Sequence, residues 1–139
     1  MQAIVIVALV LHVVSGVFWA GSTFALARMG GNQAREFLRP QLGAAATAIG
    51  TGALLWYLLH RGSEGMSEHV LATGAIFALI AAGIQAVTGL TGRQAVNQVL
   101  VGVGELAATP GQNRPLVGQR IAAGCLLVTV ICMAAARYV

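Results

Sequence analysis

Lysine and aspartate are both missing from this chain, and charge of either sign is scarce. Its 139 residues hold eight arginines and four glutamates, 9% charged in all. A soluble domain carries roughly a quarter charged residues, so the composition excludes an ordinary water-soluble fold. With 58% hydrophobic residues and a mean hydropathy of +0.82, the chain reads as an integral membrane protein of one domain. The pI of about 10.1 arises from few charges. No dense basic stretch of the kind that grips nucleic acid is present, so nucleic acid is not expected as a partner.

Cysteine is nearly absent too. Cys125 and Cys132 share one apolar segment, seven residues apart. On a helix they lie on one face but about two turns, roughly 10 Å, apart, too far to bond to each other. They carry no signal about redox compartment. Proline numbers 3 against 18 glycines, and no G-X-Y period or low-complexity tract accounts for the glycine. Close packing of membrane helices does account for it, because small residues let backbones approach.

What is present is long apolar runs. Crossing a bilayer takes about 20 residues, and four stretches approach or exceed that length: Ile4–Ala27, Leu42–Leu59, Val70–Leu90 and Ile121–Ala136. The fold expected is all-α, an integral membrane four-helix bundle over residues 1–139. The N-terminus lacks the positive n-region of a signal peptide, and its apolar run is longer than an h-region, so it reads as a retained first span. Residues Arg28–Gln41 read as a polar loop, Arg61–His69 as a short turn, and Arg93–Gln119 as a longer connection broken at Thr109-Pro110-Gly111. Within that connection, Gln94–Ala107 could extend the third helix or lie on the interface. No internal repeat aligns residue by residue.

Arginine sets the orientation. Arg28, Arg35, Arg39, Arg93, Arg114 and Arg120 fall on one side, against Arg61 and Arg137 on the other. The positive-inside rule places the first and third loops in the cytoplasm, with both termini outside.

His12 is the costliest residue in this scheme. An ionisable group inside a span is a functional-site hypothesis by default. It lies about eight residues, or roughly 12 Å, below the outer end of the first span. His60 and His69 fall on the same side, and the fourth span returns Cys132 to a similar depth. Imidazole and thiolate suit copper or haem iron, so His12, His60, His69 and Cys132 are the candidate metal ligands. Interface histidines such as His60 and His69 are more often simply solvated. His12 could equally be satisfied by Ser15, Thr47, Thr51, Gln85, Thr88 or a peptide group beside a glycine. Gln85, the other costly residue, reads as a helix–helix hydrogen bond. One face of the first span carries His12, Gly16, Trp19 and Thr23, since seven residues turn a helix about 700°. That face suits either a planar ligand or core packing. Arg28 ends the same helix.

The pattern His12-x6-Trp19-x-Gly21-x6-Arg28 resembles the first helix of HemJ-type bacterial protoporphyrinogen oxidases and of CopD-like copper-resistance membrane domains. Arg35-Glu-Phe-Leu-Arg-Pro, followed by Gly50-Thr51-Gly52, is similar to the start of the second CopD-like helix. The resemblance implies a bacterial inner-membrane bundle whose first-helix histidine binds haem b or a metal. Under it, His12, Gly16, Trp19 and Arg28 form the cofactor site. The lysine expected further along a HemJ-type chain has no counterpart, and no second histidine lies inside a span. The reading that follows is a haem b or copper protein with a redox or metal-handling role. The alternative is a cofactor-free small transporter, channel-like oligomer or accessory subunit, in which glycine-rich faces join copies of the chain. A HemJ-type oxidase ranks third. The lipid bilayer is a partner in every case.

Overall fold

A computed structural model describes residues 2–29, 33–59, 65–101 and 114–138, with side chains at 29, 33–36, 90–101 and 114–116 outside the description. Four helices follow in order: α1 (Gln2–Met29), α2 (Gln33–Leu59), α3 (Met66–Val101) and α4 (Arg114–Ala135). Each contains a stretch long and apolar enough to cross a membrane: Gln2–Arg28, Phe37–Leu59, Met66–Gly89 and Val117–Ala135. Helix is what the sequence must form there, because lipid offers no partner to an unpaired peptide group. The protein is an all-α, multi-pass membrane bundle.

The helices overrun the apolar stretches at their ends. The expected loop at 28–41 is largely helix, since α2 begins at Gln33 and runs through Pro40. The run Gln33-Ala-Arg-Glu-Phe-Leu-Arg consists mostly of strong helix formers, so polarity there does not mean loop. For the same reason α3 continues past its apolar part to Val101. Residues 102–113, including the Thr109-Pro110-Gly111 breaker, lie outside the described residues.

The chain runs up and down around a square. α1 packs most closely on α2 and α3 on α4, and the hairpins join through α1–α4 and α2–α3. Along α1 the inward line is Val5, Ala8, His12, Ser15, Trp19, Ser22 and Leu26, the 3–4 alternation of a coiled-coil seam. All seven are buried or half-buried, while Val14 and Val17 on the far side are 63% and 68% exposed. That far side faces lipid.

The core is built almost entirely from small residues. Ala45, Ala48, Ala78, Ala81 and Ala122 meet around Trp19 and Leu126. Gly118 permits one close crossing: a Cβ there would lie 2.6 Å from Cγ2 of Thr88. Yet among the described residues glycine is not chiefly inward. Gly16, Gly21, Gly43, Gly50, Gly83 and Gly124 would each point a Cβ into open space. Only some of the described glycines therefore serve contacts within the bundle. Gly52, Gly74, Gly89 and Gly118 do so, and these six do not.

The two hairpins share one register. Thr23 meets Gln41 in the first, and Gln85 meets Gln119 in the second. One layer away, His12 meets Thr51 and Gly74 meets Thr129. Superposing the hairpins thus pairs Thr23 with Gln85, Gln41 with Gln119, His12 with Gly74, and Thr51 with Thr129. So few identities survive that the sequence alone shows no alignment.

Candidate functional site

His12 lies near the middle of α1 on its inward line, half-buried against α2. Its Nδ1 is 2.8 Å from the carbonyl oxygen of Ala48. A carbonyl only accepts, so Nδ1 carries the hydrogen. In the neutral ring, Nε2 is then left with a lone pair. Thr51 Oγ1 lies 3.4 Å from the same Nδ1. Its own hydrogen is directed to backbone, 2.6 Å from Thr47 O and 3.2 Å from Ala48 O. It therefore presents a lone pair to the imidazole. No described residue bonds Nε2. The group that satisfies His12 is thus a peptide carbonyl about three turns into the neighbouring span, with Thr51 secondary; Gln85 and Thr88 bond elsewhere.

About three turns toward the arginine-rich end, a second polar constellation closes the bundle. Trp19 Nε1 donates to Gln85 Oε1 at 2.7 Å. Gln85 Nε2 donates to Thr23 Oγ1 at 2.9 Å and to Gln119 Oε1 at 3.3 Å. Gln119 Nε2 donates to Gln41 Oε1 at 3.2 Å, and Gln41 Nε2 donates to Thr23 Oγ1 at 3.2 Å. Thr23 passes its hydrogen to the Trp19 carbonyl at 2.7 Å. Each of the four helices contributes at least one member. Gln41 and Gln85 are fully buried, and Gln119 is 2% exposed.

One group fixes the sense of this ring. An indole N–H can only donate, so Gln85 must turn its oxygen to Trp19 and its nitrogen to Thr23 and Gln119. The orientation of Gln119 and then of Gln41 follows in turn. The ring contains no acid, base or nucleophile. Its chemistry is to hold four helices in one register, as a buried polar residue does in a coiled coil.

The expected site residues disperse accordingly. Trp19 is turned into the ring and is 3% exposed, so its face is core surface. Gly16, between His12 and Trp19, is half-buried with open space at its Cβ position. Arg28 is exposed at the end of α1, in company with exposed Arg39 and Arg120. His69 is exposed in the first turn of α3. Cys132 packs against Gly74 within the α3–α4 hairpin, and both cysteines are free thiols. His60 lies outside the described residues. Among the described residues, no three His, Cys, Asp or Glu side chains come together as a metal site. His12, His69 and Cys132 thus share a half of the bundle without forming a ligand set, because each is held by a different helix pair or end.

Two ring members were invisible to sequence reasoning. Gln41 and Gln119 stood at the ends of the supposed loops and read as loop residues. A faint signal exists: each is followed by alanine three and four residues on, Ala44-Ala45 and Ala122-Ala123.

Comparison with protein families, curated sequences and solved structures gave no match. The resemblance of the first helix therefore rests on His12, Trp19, Gly21 and Arg28 themselves.

Proposed function

We propose that this chain is a bacterial inner-membrane protein, with periplasmic termini, that binds haem b or a copper ion in the half of the bundle away from the arginine-rich end. His12 is the ligand, through Nε2. One observation carries the reading. The Nδ1–H of His12 is held by a backbone carbonyl, which sets the ring's tautomer and plane and leaves Nε2 for a ligand. Histidines that bind metals are oriented in this way by the hydrogen bond of their other nitrogen.

The donor set favours haem over copper. Haem iron accepts a single protein histidine, whereas a copper site built from this chain would need further nitrogen or sulfur ligands beside His12. Bound haem would supply redox or ligand-binding chemistry. The chain's own part is to hold the imidazole, through Ala48 and Thr51, and to keep the inner half of the bundle closed with the polar ring. Purified protein with a Soret band that His12→Ala abolishes, the fold being intact, is the expected result. Copper by elemental analysis without a Soret band would select the metal version. A colourless, metal-free protein that also fails to take up added haemin or copper would refute both.

A second reading has its own support. Gly43 and Gly50 on α2 face outward with open space beside them, and outward small residues allow a second helix to approach closely. A cofactor-free subunit that assembles through α2 would keep its oligomeric state in His12→Ala and lose it in Gly43→Leu/Gly50→Leu.

A further inference from the structure

An imidazole on one helix can press its edge against the backbone of the next only where the second helix has no side chain in the way. Here that place is Gly52. A Cβ built on Gly52 would fall 2.9 Å from Cε1 and 3.2 Å from Nδ1 of His12, but 4.0 Å from Nε2. The edge that meets Gly52 is therefore the Cε1–Nδ1 edge, and Nε2 is the ring nitrogen farther from Gly52. The obstacle is not a flexible tip. The ring is tied at Nδ1 to Ala48 O at 2.8 Å, and yielding to a methyl group means leaving that carbonyl.

The second hairpin supplies an internal comparison. Gly74 stands where His12 stands in the first hairpin, and Val130 stands where Gly52 does. Val130 is 53% exposed, and the residue opposite it carries no side chain. Helix approach as such does not require glycine at this position. A histidine opposite does.

We infer that Gly52 is the positioning residue of the His12 site: its bare backbone lets Ala48 O take the Nδ1–H and so decides that Nε2 is the free nitrogen. Thr51 contributes a second, longer contact to the same Nδ1 and reinforces the choice. The consequence for ligand affinity rests on the reading of His12 as a ligand; the consequence for the tautomer does not.

The test uses full-length protein with 15N-labelled histidine in detergent micelles. The His12 resonances are assigned by their loss in His12→Ala. Gly50→Ala is the control, because it makes the same change two residues away into open space. Wild type and Gly50→Ala should both show the Nδ1–H tautomer at His12. Gly52→Ala should lose that preference, with Nε2–H populated. Thr51→Val, which keeps the shape and the Ala48 carbonyl, should retain it. A wild-type His12 in the Nε2–H form overturns the inference without any variant. So does a folded Gly52→Ala protein with the wild-type tautomer. Haemin titration separates the two claims. A misoriented ligand costs roughly 10–100-fold in affinity, so Gly52→Ala should weaken haemin binding by that factor and Gly50→Ala should not. If wild type binds no haemin while the tautomers behave as stated, the ligand reading fails and the positioning role of Gly52 stands.

Discussion

Replacing Gln85 by leucine should be the most damaging conservative change in the bundle. Gln85 accepts from Trp19 and donates to Thr23 and to Gln119. Leucine is of similar size and suits an apolar core, so a cavity argument predicts little. The hydrogen-bond argument predicts more. Thr23 keeps its bond from Gln41, but Trp19 Nε1 and Gln119 Oε1 lose their only described partners inside the protein. A buried polar group left unpaired costs about 1–3 kcal/mol, which gives about 2–6 kcal/mol for two. Interhelical bonds within membranes average about 0.6 kcal/mol, so three broken bonds give about 2 kcal/mol. The two accounts meet near 2 kcal/mol, about 30-fold in the folded-to-unfolded ratio. Reversible unfolding in mixed micelles of increasing SDS fraction measures this. A Trp56→Phe background lets Trp19 fluorescence report the ring. Trp19→Phe/Gln85→Leu removes both ends of the 2.7 Å bond, so it should cost less than the sum of the single changes. A Gln85→Leu protein as stable as wild type, with unchanged Trp19 emission, would refute the view that the ring stabilises the bundle.

Other outcomes follow from the same geometry. Gly118→Ala meets the β-branched Thr88, whose hydroxyl is tied to Ile84 O at 2.8 Å, so overpacking should cost about 1–3 kcal/mol in the same unfolding assay. Gly89→Ala meets the end of the Leu38 side chain, Cγ and both Cδ atoms, which a change of rotamer moves aside, and should cost less; Gly50→Ala should stay within about 0.5 kcal/mol. Reducing agent should leave the unfolding midpoint unchanged, since Cys125 and Cys132 are free thiols. Membrane-impermeant thiol labelling of Arg28→Cys, in a Cys125→Ala/Cys132→Ala background, should mark the cytoplasmic face in inverted vesicles and not in intact cells.

Legibility from sequence divides along a physical line. Span number and helical class were readable because lipid forces helix on any apolar run of that length. Gln85 was readable as a helix–helix bond because an amide in a span must find a partner. The start of α2 was misjudged at Gln33, where polar residues of high helix propensity carry the helix out of the apolar layer; at Gln94 the structure takes the extension of α3, one of the two readings open there, as far as Val101. Gln41 and Gln119 were missed because, near the membrane boundary, a glutamine facing water and one facing a core look alike in sequence.

Sequence by itself thus determined the membrane, the four spans and the two residues, His12 and Gln85, that cannot be left to lipid. Tertiary structure decided what those residues meet: Ala48 and Gly52 for His12, and a closed ring of Trp19, Thr23, Gln41 and Gln119 for Gln85. The reason is that lipid and protein interior are equally apolar. A soluble helix marks its buried face by contrast with its polar one, whereas α1 is apolar on every side except at His12 and a few hydroxyls. Which face turns inward, and at what register against the next helix, is settled only when the polar groups of four helices find one another.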